Sequence, residues 1–178
     1  TWDVSQITDF SKLFFLDNKD FNSDISLWDV GNGTDFSLMF YGTSFDQDIS
    51  AWDVSNATNF TAMFADSSVF NQDISDWDVS KATDLTGMFY GARSFNQNIG
   101  RWNLANGTDF TFMFEEAESF NQDISNWDVS NGRNFSSLFQ GAESFNQDIS
   151  SWDVSNGTNF SGMFNQAMNF NQDISSWD

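Results

Sequence analysis

The nonapeptide FNQDISDWD occupies residues 70–78, and close copies of it recur along the chain. FNQDISNWD stands at 120–128, and FNQDISSWD stands at 145–153 and at 170–178. Trp occurs only in this part of the repeat, and its successive intervals are 26 and 24 residues and then 25 five times. Residues 1–178 are therefore interpreted as a single array of seven repeats, which begin at Trp2, Trp28, Trp52, Trp77, Trp102, Trp127 and Trp152.

The spacing of apolar residues changes within each repeat. Phe36, Met39 and Phe40 lie at i, i+3 and i+4, the stripe of a short helix, and Thr34 stands where its N-cap is expected. The segment ISDWDV at 74–79 has the L-x-x-L-x-L spacing of a leucine-rich-repeat strand, with Ile, Trp and Val substituted. These patterns predict a leucine-rich-repeat-like α/β solenoid of seven stacked coils, each with a short strand and a short helix.

Stacked coils would bury one continuous aromatic core, because 18% of the chain is Phe, Trp or Tyr. The tryptophans of successive coils are predicted to lie in register within this core, with the helices on the opposite side of each coil. Terminal repeats of such arrays usually carry a polar cap. Neither end of this chain has one, so we expect it to be a fragment of a longer array.

Composition and charge exclude several classes of function. The chain has 6 Lys and Arg against 26 Asp and Glu, and its formal net charge of −20 opposes nucleic acids and anionic membrane surfaces. It has no Cys and no His, and therefore lacks thiolate ligands and the commonest general base. The sequence also lacks an apolar run of about 18 residues, which a membrane-spanning helix requires. We expect no enzymatic activity, no cofactor, no bound nucleic acid and no membrane span.

The repeat phrase resembles that of the BspA-like surface-protein family. MFYGARSFNQNIGRWNLANGT at 88–108 illustrates the shared motif, and every repeat of the chain carries a version of it. The resemblance implies an extracellular or cell-surface protein that mediates adhesion or protein binding without catalysis. It transfers no site, because the family has no established catalytic residues.

Two acidic residues flank the Ile-x-x-Trp segment of most repeats, and stacking would arrange them in two columns. The column before Ile contains Asp24, Asp48, Asp73, Asn98, Asp123, Asp148 and Asp173. The column after Trp contains Asp3, Asp29, Asp53, Asp78, Asn103, Asp128, Asp153 and Asp178. We favour a structural interpretation, in which each carboxylate accepts backbone N–H groups at a turn. The joint change to Asn98 and Asn103 supports it, because an amide keeps the acceptor oxygen and loses the charge.

Two alternatives remain open for the same carboxylates. The columns could be an acidic surface suited to salty surroundings. They could also bind Ca²⁺, which prefers oxygen ligands, and the candidate ligands would then be Asp73, Asp78, Asp123, Asp128, Asp148 and Asp153. The structural interpretation predicts no metal site.

The residue before each Trp varies more than its neighbours. A concave strand face would expose this position, which makes Asp76, Arg101, Asn126 and Ser151 the candidates for binding a protein partner or an extracellular surface. The acidic columns on either side favour a basic partner. The alternative function is a structural subunit or spacer that assembles with other proteins.

Other polar positions recur with the same period. The pair Asn71-Gln72 and its counterparts predict a ladder of side-chain amides that ties successive coils together. Several Asn residues stand in N-x-S/T sequons. Those in predicted turns are the candidate glycosylation sites: Asn32, Asn56, Asn106 and Asn156.

Overall fold

The computed structural model describes residues 2–15 and 19–177. In these ranges, successive repeats stack in parallel register, and the β-bridges between them involve one residue per repeat. The isolated parallel β-bridges join Asp9 to Asp35, Asp35 to Asn59, Asn59 to Asp84, Asp84 to Asp109, Asp109 to Asn134 and Asn134 to Asn159. The same ranges contain no helix, and hence none that is long and apolar enough to cross a membrane.

The prediction of a leucine-rich-repeat-like α/β solenoid is therefore wrong. The predicted helix fails because alternate N–H groups bond to the next repeat and those between them bond to carbonyls three residues back, where a helix would bond to carbonyls four residues back. Phe36 N–H donates to the Asn59 carbonyl at 2.9 Å, and Phe40 N–H donates to the Met63 carbonyl at 2.9 Å. Thr34 consequently caps no helix, and its hydroxyl donates to the carbonyl of Thr8 in the preceding repeat at 3.1 Å.

The predicted strand at 74–79 is also replaced by a turn. Trp77 N–H bonds to the Ile74 carbonyl at 3.2 Å, three residues back, which closes a turn where an extended strand would leave both groups free for a neighbouring strand. The corresponding bond recurs at Trp52, Trp102, Trp127 and Trp152.

Residues with positive φ explain how turns replace the helix. Met39 N–H bonds to the Phe36 carbonyl at 3.3 Å, and Leu38, the third residue of this turn, has φ 59°. Thr43 N–H bonds to the Phe40 carbonyl at 3.1 Å across Gly42, which has φ 69°. A positive φ at the third residue alone is the signature of a type II turn. Each repeat therefore runs through successive turns while alternate N–H groups point to the next repeat.

Phenylalanine columns form the centre of the stack. In one of them, consecutive rings have centroids between 5.5 and 5.9 Å apart and nearly parallel planes; its members are Phe14, Phe40, Phe64, Phe89, Phe114, Phe139 and Phe164. A second column follows the residue at the start of the FNQDIS phrase, as shown by Phe70 and Phe95 with centroids 6.0 Å apart. These rings are almost all fully buried, so the aromatic content of the sequence supplies a continuous apolar core.

The tryptophans lie in the same core, as predicted, although the helices expected opposite them are absent. Trp52, Trp77, Trp102, Trp127 and Trp152 are each between 3% and 4% exposed. Trp52 and Trp77 stack with centroids 6.5 Å apart. Each of these indoles also donates its Nε1–H to the carbonyl of an Ile 27 or 28 residues earlier in the chain, as Trp77 does to Ile49 at 3.1 Å. One residue type thus supplies both packing and a bond between repeats.

Candidate functional site

The two aspartate columns form Asx turns, the arrangement that the structural interpretation predicts. Asp73 Oδ1 accepts the Ser75 N–H at 3.0 Å, and Asp78 Oδ1 accepts the Ser80 N–H at 3.0 Å. The same bond to the residue two positions later occurs at Asp3, Asp24, Asp29, Asp48, Asp53, Asp123, Asp128, Asp148, Asp153 and Asp173. Asp178 lies outside the described residues. These bonds fix the local backbone, as expected for Asx turns.

The asparagines that interrupt the columns make the same bond. Asn98 Oδ1 accepts the Gly100 N–H at 3.1 Å, and Asn103 Oδ1 accepts the Ala105 N–H at 3.1 Å. The negative charge is therefore not needed to form the turn. It is an additional property of the surface on which the other repeats carry Asp.

The hydrogen bonds hold these carboxyl groups in their ionised form. The bonds from Ser75 lower the pKa of Asp73, and those from Ser80 lower the pKa of Asp78. Neighbouring carboxylates act in the opposite direction, because Asp48 raises the pKa of Asp73. At Asp73 and Asp78 the hydrogen bonds outweigh this repulsion, so both pKa values lie below the usual Asp value and both carboxylates are charged at neutral pH.

The six candidate calcium ligands each use Oδ1 in an Asx turn. In the described part of the chain, no three acidic side chains are grouped closely enough to hold a metal ion. Calcium binding through pairs of these residues remains a hypothesis, for which titration with Ca²⁺ against Mg²⁺ at equal ionic strength is the direct test.

The structure contains a third column of Asx turns, which was not predicted from the sequence. Asp35 Oδ1, directly after the predicted N-cap Thr34, accepts the Ser37 N–H at 2.8 Å. Its counterparts make the same bond: Asp9, Asn59, Asp84, Asp109, Asn134 and Asn159. The recurring motif Asp/Asn-x-Ser/Thr, which also occurs in the other two columns, is the sequence pattern that indicates this third column of turns. The same residues form the β-bridges.

The Asn–Gln pairs form the predicted ladder of amides, at half-buried and exposed positions. Asn71 Oδ1 accepts both the Asn96 backbone N–H at 2.9 Å and the Gln97 side-chain N–H at 3.0 Å. Asn146 Oδ1 does the same for Asn171 and Gln172. The ladder therefore ties one repeat to the next, and its Asn and Gln residues have a structural explanation.

The four sequon asparagines are exposed, but their side-chain nitrogens are engaged. Asn56 Nδ2 donates to the Gly31 carbonyl of the preceding repeat at 2.8 Å. Asn32, Asn106 and Asn156 make the equivalent bond at 2.7 to 2.8 Å. Since a glycan would be attached to this nitrogen, modification would alter a bond between repeats. Glycosylation at these sites stays a prediction.

The four partner-binding candidates are all exposed. Asp76, Arg101, Asn126 and Ser151 share this property with Ala51, Ser176 and Leu27, the last of which is 93% exposed. The variable column also adjoins the first aspartate column, since Ser176 lines one surface depression with Asp148 and Asp173. We call the two aspartate columns and the variable column between them the acidic face.

A second surface feature is a groove of about 430 Å³, which was not predicted from the sequence. Its walls carry aromatic rings and one carboxylate, and its floor carries small side chains. The lining residues are Tyr41, Thr61, Ala62, Ala65, Thr86, Gly87, Tyr90, Phe112 and Glu115. The chain contains only two tyrosines, and both lie here. Each tyrosine directly follows a Met-Phe pair, so the two occupy equivalent positions in different repeats, and this recurrence in the sequence indicates that they lie on the same surface. We call this feature the tyrosine groove.

Comparison with known proteins places the chain in a family. The family model described as "Mycoplasma protein of unknown function, DUF285" matches residues 1–102, 41–123 and 92–178, which together span the whole chain. No curated protein and no solved structure matches the chain. The three overlapping matches agree with a repeat protein, and the BspA-like resemblance is not confirmed by them. The chain belongs to the DUF285 family of repeat-containing proteins.

Proposed function

We propose that the chain is a non-enzymatic scaffold that binds a basic protein partner or a basic extracellular surface through its acidic face. The observation that carries this proposal is the contrast between fixed and variable positions. The fixed residues are engaged in the core, in Asx turns or in bonds between repeats, as Trp77 and Asp78 illustrate. The variable residues before Trp are exposed. Ser151 and Ser176 donate to serine carbonyls of the preceding repeat, a bond that the other residue types at this position do not share.

Charge supports a basic partner. Hydrogen bonds keep Asp73 of one column and Asp78 of the other ionised, and the chain carries a net charge of −20. Rows of like charge attract cationic partners at long range and select against acidic ones. Arg101 lies where both columns carry Asn, so it marks the place where the acidic face attracts a cation least. The extracellular localisation expected from the BspA-like resemblance is part of the same proposal.

Charge variants with a synthetic oligolysine peptide test this proposal. Arg101→Asp should raise the affinity by about threefold and steepen its dependence on ionic strength, because it fills the neutral gap with a negative charge. Asp76→Asn should weaken the affinity. Glu143→Gln removes the same charge from an exposed position in another column and serves as the matched control. Isothermal titration calorimetry at two ionic strengths provides the measurement.

Two results would count against recognition by the acidic face. If Glu143→Gln weakened binding as much as Asp76→Asn, the peptide would respond only to net charge. If Arg101→Asp left affinity unchanged in a folded protein, the carboxylates would serve the turns and solubility alone. The structural subunit or spacer would then be the better description of the chain.

A further inference from the structure

The tyrosine groove exists because Ala65 occupies the position at which the repeats on either side carry Tyr41 and Tyr90. Gly42 N–H bonds to the Ala65 carbonyl at 2.8 Å, and Asp66 N–H bonds to the Tyr90 carbonyl at 2.6 Å. These bonds set the register that aligns Tyr41, Ala65 and Tyr90 in three consecutive repeats. Ala65 is only 1% exposed, so it forms a floor between two tyrosine side chains.

The width of this gap follows from the spacing of the repeats. In the adjacent phenylalanine column, centroids are 5.6 Å apart from Phe40 to Phe64 and 5.8 Å apart from Phe64 to Phe89. Tyr41 and Tyr90 stand two such steps apart. The groove that Tyr41 and Tyr90 line has a volume of about 430 Å³, which is large enough for a methylated ammonium group.

A neighbouring column extends the groove and closes one end of it. Ala62 and Gly87 occupy equivalent positions and lie on the floor, whereas the next residue of this column is Phe112, which is 43% exposed. A Cβ atom at Gly87 would meet only the Tyr90 Cβ, at 3.7 Å, so the space above this glycine is open. The Phe112 ring is thus a third aromatic wall.

The electrostatic environment of the groove is negative. Glu115 is only 9% exposed, and one of its carboxylate oxygens accepts the Gln140 amide at 2.7 Å. In the described part of the chain, no cation lies within ion-pair distance of Glu115. Arg93 pairs with Glu116 and Glu118. Burial raises the pKa of Glu115, and Glu116 raises it further. A buried carboxylate without a counter-ion is costly, and a bound cation would relieve that cost.

We propose that the tyrosine groove binds an alkylammonium cation, such as the trimethylammonium group of a small molecule or of a methylated lysine. Aromatic faces attract such cations through their quadrupoles, and a carboxylate beside them adds charge attraction. The groove combines Tyr41, Tyr90 and Phe112 with Glu115 in this way. An anion would meet repulsion here, and a neutral apolar ligand would bury Glu115 further without supplying a counter-charge. This site is formed by columns other than those of the acidic face, and the inference does not rest on the proposed function.

Fluorine NMR tests the proposal directly. Incorporation of 3-fluorotyrosine labels only Tyr41 and Tyr90, so both resonances report on the groove. We expect choline and tetramethylammonium to shift both resonances saturably. The uncharged isostere of choline, 3,3-dimethylbutan-1-ol, should bind at least about tenfold more weakly. Sodium chloride at the same concentration controls for ionic strength.

Variants at the groove sharpen this test. Glu115→Gln keeps the shape and the acceptor oxygen for Gln140 and should weaken choline binding by about tenfold. Ala65→Gln inserts the side chain that Gln140 presents at the equivalent position, and it should abolish binding by filling the gap. Glu143→Gln removes a charge that does not line the groove and should leave binding unchanged. Circular dichroism and urea unfolding confirm that each variant folds.

A peptide with trimethyllysine, compared with its unmodified lysine form, identifies the source of the cation. Tighter binding by the peptide than by choline indicates a protein side chain, and the reverse order indicates a small molecule. Equal binding by choline and its neutral isostere would overturn the proposal. So would the absence of a saturable shift in the labelled protein, or equal weakening by Glu143→Gln and Glu115→Gln.

Discussion

At the scale of the residue, the fold depends on backbone conformations that most side chains disfavour. Ser137, for example, has φ 52°, whereas the equivalent residues of two other repeats are Gly87 and Gly162, with φ 59° and 69°. A side chain in the left-handed region costs about 1–2 kcal/mol, and glycine avoids that cost. The chain tolerates non-glycine residues at such positions because the surrounding bonds between repeats determine the conformation.

Ser137→Gly should therefore stabilise the protein. Relief of the left-handed strain exceeds the extra conformational entropy that glycine loses, so we expect a gain of about 0.5–1 kcal/mol in the free energy of unfolding. The preceding residue is the matched control, since Ser136 has no positive φ. Ser136→Gly should lower the free energy of unfolding by a similar amount. Urea denaturation measures both, and equal effects of the same sign would contradict the strain argument.

At the scale of the element, the building unit is the turn. The apolar spacing at Phe36, Met39 and Phe40 fits a helix and also fits a run of turns, because both place these side chains on one side of the backbone. The polar residues distinguish the two. An Asp or Asn two residues before Ser or Thr favours an Asx turn, and such pairs occur at three positions in the repeat, as at Asn59, Asp73 and Asp78.

Replacement of Asp78 separates the acceptor from the charge. Asp78→Asn should change stability little at neutral pH, because it keeps the acceptor for Ser80 and removes both the attraction of Lys81 and the smaller repulsion of Asp53. Asp78→Ala removes the acceptor and should cost about 0.5–1 kcal/mol at this exposed site. Urea unfolding at neutral pH compares the variants. A larger loss of unfolding free energy in Asp78→Asn than in Asp78→Ala would show that the charge itself is required.

The pH dependence of stability has a definite sign. Hydrogen bonds from the following Ser lower the pKa of Asp73 and Asp78 in the folded protein, so the folded state binds protons less readily than the unfolded state. This contribution to stability is fully present above the ordinary Asp pKa of about 4 and is lost as the pH falls through the lowered folded-state value. Asp78→Asn should therefore reduce the loss of stability in acid, which unfolding at pH 7 and below pH 4 would measure.

At the scale of the whole molecule, stability is shared between neighbouring repeats. Phe114 is fully buried and stacks on Phe89 at 5.5 Å and on Phe139 at 5.7 Å, one in each adjacent repeat. Phe164 stacks on Phe139 at 5.9 Å and is half-buried. In stacked repeats, each interface adds its own contribution to stability. Equivalent residues should therefore differ in energetic importance according to how many neighbours cover them.

Substitution of these two phenylalanines tests this sharing. Phe114→Ala should lower the free energy of unfolding by about 3–5 kcal/mol, the usual cost of deleting a buried ring. Phe164→Ala should cost about half as much, because its ring is partly exposed and packs on one adjacent repeat. Thermal and urea unfolding of both variants provide the comparison. Equal losses would show that the array unfolds without regard to position along the stack.

The sequence alone determined the period, the register and the aromatic core, because identical letters that recur every 25 residues must occupy equivalent places in a stack. It also predicted the turn-forming role of Asp73 and Asp78 and the amide ladder that begins at residues such as Asn71. Only the tertiary structure decided which backbone groups join one repeat to the next. The N–H groups at Phe36 and Phe40 bond to carbonyls of the next repeat, and no local pattern records that choice. The tyrosine groove has the same origin, since it arises where Ala65 lies between two tyrosines from other repeats.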